Sequence, residues 1–179
     1  MSIFKRIGAI LRSNKEVPET KPGRPFEDAS VGDIVEVDLE EHVISGKVIY
    51  FDRGYAPHRY AYYLQNGKNI SCLFVEVGRN YDCFYSQFLE GALDDPNDVP
   101  TRLVLDEDQA FELEHHRKDT TRVEGRTDFR SNDEVLFWRY IGDENSRFFL
   151  QWQDGKFVAA TGERVSPAEV KFMKAVKTP

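Results

Sequence analysis

From Val31 onward, apolar and polar residues alternate with the period of two that is typical of half-buried β-strands. Turn signals interrupt the alternation, and Asn66-Gly67 and Asp154-Gly155 have the composition of tight hairpin turns. The pattern predicts a mainly β, antiparallel domain over residues 28–179, with an acidic loop at 93–100. The predicted strands are 34–39, 43–52, 58–65, 70–77, 81–88, 102–105, 110–115, 121–126, 134–141, 148–153 and 156–161.

Both ends of the chain show helical signals instead. Near the N-terminus, apolar residues recur at three- and four-residue spacing, which predicts an amphipathic helix over residues 1–15. The proline-rich segment 16–27 is interpreted as a linker. Ser166-Pro167-Ala168-Glu169 combines an N-cap serine with a capping-box glutamate and predicts a C-terminal helix. The predicted membrane or partner contacts of the first helix are Ile3, Phe4, Lys5, Arg6, Ile7, Ile10, Leu11 and Arg12.

Two β-rich stretches of the chain resemble each other in outline. Residues 60–67 resemble 137–142 in aromatic density and in a closing glycine, and a second pair of short segments also matches. The offsets are 75 and 76 positions, nearly constant, as a duplication would give. We therefore predict two similar sub-sheets, at about 30–90 and 102–165, packed as a sandwich or curled into barrel-like units.

Charge is distributed unevenly along the chain. Residues 1–25 carry six basic and two acidic side chains, a net charge of +4, whereas the whole chain carries −7. The remaining 154 residues therefore carry −11, which argues against nucleic-acid binding because phosphate backbones are repelled. The longest purely apolar runs, about five residues, are too short to span a bilayer. We expect a cytoplasmic protein that can contact the inner face of the membrane peripherally.

The sequence contains no motif that predicts an enzyme, a cofactor or a metal. Walker loops, dinucleotide fingerprints, nucleophile elbows and zinc-ligand spacings are missing. His115 and His116 are adjacent, so on a strand they point to opposite faces and do not suit one shared ion. Cys72 and Cys83 lie in predicted strands, and we interpret them as buried thiols, with a disulfide as the alternative.

Aromatic residues are dense in the first β-rich stretch, where they make up eleven of the 39 residues from 50 to 88. At a period of two, Tyr60 and Tyr62 share one face of a strand and Tyr63 lies on the other. Core packing explains such a pattern, and a recognition surface is the alternative. Tyr60, Tyr62 and Trp152 are the candidate contacts of that surface.

Short motifs near the start and end of the β region suggest a family. Val31-Gly32-Asp33-Ile34-Val35 and the later Phe149-Leu150-Gln151-Trp152 are among them, in matching order over residues 30–175. They resemble a bacterial family of uncharacterised domains, the domain of unknown function numbered 4178. The resemblance implies an all-β domain without assigned catalysis and a short amphipathic helix before it. It also implies, in some bacteria, a gene position beside homologues of phage shock protein A, a membrane-stress protein.

These observations predict a non-enzymatic interaction module, a cytoplasmic accessory of a membrane-associated or envelope-stress process. Its expected contacts are a protein partner and an anionic membrane surface, with no cofactor. The alternative is a small-molecule-sensing β domain that binds a ligand in an aromatic-lined pocket. For the N-terminal helix, docking on the protein's own sheet is the alternative to a tether.

Overall fold

The structure, a computed structural model, describes residues 23–52, 56–91, 93–106 and 108–175. Within these ranges, eleven strands form one antiparallel sheet, so the predicted mainly β class is confirmed. The predicted helix at 1–15 lies outside the described residues. In the described part of the chain, no helix is long and apolar enough to cross a membrane. The elements are α1 (Pro25–Asp28), β1 (Ile34–Val37), β2 (Glu40–Phe51), β3 (Pro57–Asn66), β4 (Asn69–Val77), β5 (Tyr81–Leu89), β6 (Arg102–Leu105), β7 (Gln109–Gly125), β8 (Glu134–Ile141), β9 (Ser146–Gln153), β10 (Lys156–Val165) and β11 (Lys171–Met173).

Eight of the described strands close into a ring. Their hydrogen-bonded order is β2-β3-β4-β5-β10-β9-β8-β7, and the pairing of β7 with β2 joins the two ends. β1 and β11 extend the sheet beyond β2, and β6 extends it beyond β7. The two predicted sub-sheets are therefore halves of one continuous sheet, not two separate ones.

The two halves of the sheet have the same internal order. β1–β5 form one meander and β6–β10 form the other, and the halves meet through corresponding strands, β2 with β7 and β5 with β10. At these junctions Val48 pairs with Val123 and Ser86 with Gly162, residues 75 and 76 positions apart. Two similar meanders related by a two-fold axis would have this geometry. That the two meanders arose by duplication stays a prediction.

β2 changes its partner strand where two glycines meet. Its first residues pair with β1 and its later ones with β7, and a bulge separates Ile44 from Gly46. A Cβ on Gly46 would lie 1.9 Å from the carbonyl oxygen of Arg126. A Cβ on Gly125, at φ 67°, would lie 2.4 Å from the carbonyl oxygen of Ser45. The crossing therefore requires glycine on both strands.

Apolar side chains fill the interior of the ring and also form two clusters on its outside. The interior cluster is built around Tyr50, Phe74, Phe137 and Phe149. A first outer cluster includes residues of β2–β5, α1, β1 and β11, and a second includes residues of β7–β10 and β6. Because both faces of the ring strands are covered, each of these eight strands contributes to two clusters.

The C-terminal helix predicted from Ser166 is wrong for the described residues. The capping box forms, but it encloses only a 3₁₀ turn at Pro167–Glu169. The chain then continues as β11, which pairs with β1 and places Val170 and Phe172 in the first outer cluster. Pairing with an available sheet edge and burial on an apolar face outweigh the local helical signal.

The strands predicted separately at 110–115 and 121–126 are one strand, the 17-residue β7. The polar residues between them suggested a break. In the structure they alternate between exposed and covered positions, and Asp119 is buried. A charged side chain that is paired inside the ring leaves no hydrophobic signal in the sequence, which is why this continuity was missed.

Candidate functional site

The tyrosines predicted as a recognition surface are covered by the chain's own α1. Tyr60 and Tyr62 are only 5% and 0% exposed and belong to the first outer cluster. The Tyr62 hydroxyl donates to the carbonyl oxygen of Phe26 at 2.7 Å, and the Tyr60 hydroxyl donates to the carboxylate of Glu27 at 3.4 Å. The predicted surface at Tyr60 and Tyr62 is therefore corrected to core, because the end of the predicted linker packs on both rings.

Lys47 holds α1 in this position. Its ammonium group donates to the carbonyl oxygens of Glu27 and Ala29, each at 2.7 Å. It also lies 5.2 and 5.5 Å from the ring centroids of Tyr60 and Tyr62. Burial lowers the pKa of Lys47 even though nearby carboxylates favour its charged form. All of these contacts are internal, so Lys47 acts as an anchor for α1.

Trp152, the third predicted contact, is half-buried in the second outer cluster, where it pairs with Phe157 and Leu136 across neighbouring strands. Its indole N–H is buried and has no hydrogen-bond partner among the described residues. Direct contact of Trp152 with a partner stays a prediction.

At one end of the ring the interior is charged instead of apolar. Arg59, 2% exposed, donates to Glu76 at 3.3 Å and to Asp119 at 3.2 Å, and its guanidinium lies 3.5 Å from the Phe137 ring centroid. Arg139 bonds the other oxygen of Glu76. Burial raises the pKa of Glu76, but the two guanidinium groups outweigh burial and leave this pKa lowered. Because each of these charges is compensated, the cluster is a structural ion network.

The opposite end of the ring carries an open cavity of about 670 Å³. Tyr63, Phe88 and Phe157 contribute aromatic rings to its lining. The Tyr63 hydroxyl donates to Asp128 at 2.9 Å, and Lys156 donates to the other oxygen of that carboxylate at 2.8 Å. This rim cavity is the arrangement closest to the predicted aromatic-lined ligand pocket.

A groove of about 550 Å³ crosses the outside of the ring over β5 and β10. The β1–β2 hairpin forms one wall, and the 3₁₀ turn with β11 forms the other. We call it the acidic groove because its lining contains four carboxylates and one lysine. The lining residues are Glu36, Val37, Asp38, Leu39, Tyr85, Gln87, Thr161, Gly162, Glu163, Val165, Ala168, Glu169 and Lys171.

Part of the negative charge of the acidic groove is uncompensated. Lys171 pairs with Glu36 at 3.1 Å, and Glu169 accepts a hydrogen bond from the backbone of Ser166 at 3.2 Å. Asp38 and Glu163 have no hydrogen-bond or ion-pair partner among the described residues. The groove therefore presents free carboxylates beside an apolar floor, which suits a cationic and partly apolar binding partner.

Leu39 lies at the rim of the acidic groove and is 96% exposed. It forms the two-residue β1–β2 turn with Asp38, at φ 61° and 54° respectively. A positive φ is an outlier for a bulky residue, and such turns favour asparagine and glycine. The sequence assigned Leu39 to a strand because the alternation of Val35 and Val37 continues through it. The sequence signal for this turn is weak, because Asp38 is a favourable turn residue but leucine takes the place of the usual glycine.

A smaller polar groove of about 460 Å³ adjoins the acidic groove at Tyr85 and Gln87. His42, 4% exposed, lines it, with Nε2 3.5 Å from the Tyr85 hydroxyl. Its Nδ1 is buried and has no hydrogen-bond partner among the described residues. Burial lowers the pKa of His42, although Glu40 and Asp38 oppose this effect. A buried nitrogen without a hydrogen-bond partner lowers the stability of the folded state.

The remaining candidate groups are embedded in the fold. The prediction of buried thiols is confirmed, because Cys72 and Cys83 are free and buried. Burial, followed by the charge of Asp82, raises the pKa of Cys83 to about 12. His116 stacks on Trp138 at 4.8 Å between ring centroids, and His115 pairs opposite Arg139 on β8. None of these positions contributes to the acidic groove.

Comparison with known families decides which domain this is. The model of a domain of unknown function, DUF4178, matches residues 30–167. The chain belongs to the DUF4178 family. The matched range of the DUF4178 domain includes the complete ring and the acidic groove up to the 3₁₀ turn, whereas α1 and β11 lie outside it. No curated protein and no solved structure matches the chain. The resemblance to this family is thus confirmed, and the gene position beside phage shock protein A homologues stays a prediction.

Proposed function

We propose that this DUF4178 protein is a non-enzymatic interaction module, a cytoplasmic accessory of a membrane-associated process. The observation that carries the proposal is the acidic groove, where the free carboxylates of Asp38 and Glu163 lie beside the exposed Leu39. The interior of the ring is filled by aromatic side chains and a compensated ion network, so binding is assigned to the outer surface. A binding surface needs no catalytic group, and none is invoked.

The N-terminal segment, residues 1–15, is the membrane contact in this proposal. Residues 1–25 carry a net charge of +4 beside a body of −11, so the segment is attracted to an anionic surface that repels the domain. Each lysine or arginine near such a surface contributes about 1 kcal/mol. The apolar residues between Ile3 and Leu11 add partial burial at the interface, so the binding is reversible and salt-sensitive.

Vesicle sedimentation tests the tether. The full chain should sediment with vesicles of phosphatidylglycerol and phosphatidylcholine in equal parts, and not with phosphatidylcholine alone. The triple variant Lys5→Gln, Arg6→Gln, Arg12→Gln should lose this binding, because it removes most of the segment's charge. The matched control Lys68→Gln, Arg79→Gln, Arg126→Gln makes the same charge change on the domain and should still bind. Equal binding by both triple variants would contradict the tether.

The rim cavity supports a second candidate function, a small-molecule-sensing domain. Its aromatic lining and the polar groups of Asp128 and Lys156 are features of ligand sites. A ligand that binds there should raise the melting temperature of the full chain, and the substitution Phe88→Ala should abolish this rise. A stabilising ligand whose effect survives Phe88→Ala would contradict binding at the rim.

A further inference from the structure

We propose that the acidic groove binds the protein's own N-terminal segment, so that the groove and an anionic membrane compete for one and the same stretch of chain. This inference rests on the proposed tether for its membrane half only. The intramolecular half stands on the groove itself: its charge, its apolar rim and its position beside the start of the described chain.

Charge complementarity identifies the occupant. The groove contains four carboxylates and one lysine, and Asp38 and Glu163 are unpaired among the described residues. The N-terminal segment carries its cations at Lys5, Arg6, Arg12 and Lys15 without an acidic residue among them. Opposite charges at the groove and in the segment favour their contact.

The apolar surfaces of groove and segment are complementary too. Leu39 is 96% exposed at the rim, on a turn whose backbone conformation disfavours leucine. Val37, Tyr85 and Val165 continue this apolar surface into the groove. The segment has five apolar residues at helical spacing between Ile3 and Leu11, which need a cover of this kind. An exposed leucine kept against local preference is explained if the segment covers it.

The chain is long enough for this contact. Gly23, where the described chain begins, lines a cavity together with Phe172 and Lys174. The neighbouring Lys171 of the same strand already lines the acidic groove. Residues 16–22 separate the segment from Gly23, and seven extended residues reach about 23 Å. Such a short connection gives the segment an effective concentration at the groove on the order of millimolar.

Competition between groove and membrane follows from this arrangement. A segment seated in the groove has its apolar residues covered and is not available to lipid. The apparent affinity for vesicles is then reduced by the fraction of chains whose segment is free. Weakening the groove should therefore tighten membrane binding, about three- to tenfold for a segment that is mostly seated.

Paramagnetic relaxation in the full chain tests the intramolecular contact. A nitroxide is attached to Ser13→Cys, next to the segment's apolar residues; the native Cys72 and Cys83, 1% and 0% exposed, do not react in the folded chain. Without vesicles, the amide signals of Asp38 and Glu163 should broaden strongly, and that of Val104 on β6, in the other half of the sheet, should not. Sharp signals at the groove, or broadening elsewhere, would overturn the proposal.

Two charge-matched double variants locate the effect. Asp38→Asn with Glu163→Gln should abolish the broadening and increase vesicle affinity three- to tenfold. Asp94→Asn with Glu144→Gln makes the same charge change at exposed positions outside the groove and should leave both unchanged. Unchanged broadening in the first variant would overturn the groove as the site. Melting temperatures within about 5 °C of the parent exclude misfolding as the cause of either result, because release of the segment alone accounts for a fall of that size.

A mixed sample distinguishes contact within one chain from contact between two chains. Spin-labelled chain without ¹⁵N is mixed with ¹⁵N-labelled chain without a nitroxide. Sharp groove signals in this mixture support contact within one chain, whereas broadened signals would overturn it in favour of a second copy. Groove broadening in a chain that ignores anionic vesicles leaves the intramolecular contact standing and refutes the tether alone.

Discussion

At the scale of single residues, Leu39 is unfavourable for stability in two ways, and it makes no buried contact in the described fold that would offset them. Its side chain is almost fully exposed, and its backbone takes a φ of 61°. A non-glycine residue in the left-handed region costs about 1–2 kcal/mol. A glycine at this position would avoid that cost, so the leucine side chain is a candidate for a contact outside the described fold.

Leu39→Gly should therefore stabilise the protein. Removing the left-handed strain should gain about 1 kcal/mol, since no buried contact is lost, and raise the melting temperature by about 2–4 °C. Thermal unfolding of the chain without residues 1–22, in which the N-terminal segment cannot cover Leu39, measures the shift. Val104→Gly, an exposed strand position, serves as the control and should lower the melting temperature. A fall with Leu39→Gly would show that the leucine contributes to the fold itself.

Arg59 is the residue on which the charged end of the ring depends. Arg59→Met should cost about 3–5 kcal/mol because it leaves Glu76 and Asp119 buried with fewer partners. Denaturant unfolding measures the loss, and Arg79→Met, at an exposed site, should change stability by less than about 0.5 kcal/mol. Adding Asp119→Asn to Arg59→Met should cost less than the sum of the two single changes. Strict additivity would contradict a coupled network.

At the scale of elements, α1 is a single turn that the sequence placed in a linker. Phe26 stacks on Tyr81 at 4.8 Å between ring centroids and meets Phe172 edge-on at 5.2 Å. One turn cannot be stable alone, so these contacts and the carbonyl groups that accept from Lys47 define it. The described fold therefore includes residues 24–27, which the sequence assigned to the linker.

Two truncations test this boundary. Removal of residues 1–22 should lower the melting temperature by no more than about 5 °C, because α1 remains and only the segment in the acidic groove is lost. Removal of residues 1–28 should lower it by about 6–12 °C, which corresponds to about 3 kcal/mol for a chain of this size. The reason is that the Lys47 ammonium loses the carbonyl acceptor of Glu27, and that the ring of Phe26 no longer packs on Tyr81 and Phe172. Equal melting temperatures for the two truncations would show that α1 does not stabilise the domain.

At the scale of the whole molecule, the free energy of unfolding should decrease over two separate pH ranges as the pH is lowered. Burial lowers the pKa of His42 from 6.5, so the unfolded chain binds a proton first and stability falls as the pH drops below 6.5. Glu76 and Asp33 have pKa values lowered from 4.5 and 3.8, because their hydrogen-bond and charge partners outweigh burial. Their contribution is complete above those ordinary values and is lost as the pH falls through the lower folded values.

Urea midpoints measured from pH 7.5 to pH 3 check this prediction. We expect a first decline below pH 6.5 and a steeper one below pH 4.5. His42→Gln should weaken the first decline and leave the second in place. Part of the first decline should remain, because burial also lowers the pKa of His115 and His116. A midpoint that stays constant between pH 7.5 and pH 5 would contradict the role of the buried histidine.

The local sequence pattern by itself determines the strands, a hairpin turn and the faces to which side chains point. Alternation of apolar and polar residues specifies strands, and Asp154-Gly155 forms the predicted hairpin turn, with both residues at positive φ. The face assignment of Tyr60 and Tyr62 against Tyr63 also followed from a period of two. These features depend on neighbours in sequence, and so the sequence alone reveals them.

Contacts between distant residues decided the rest. Nothing local indicates that β2 meets β7 or that β5 meets β10, and these pairings turn two meanders into one ring. The same long-range contacts convert the stretch after Ser166 from helix to strand and cover Tyr60 and Tyr62 with α1. The acidic groove arises in the same way, because Asp38 and Glu163 become neighbours of one cavity only when the ring closes. Hydrophobic burial and strand pairing bring together residues that are distant in sequence. The candidate site is therefore determined by the tertiary structure, whereas the strands are determined by the local sequence pattern.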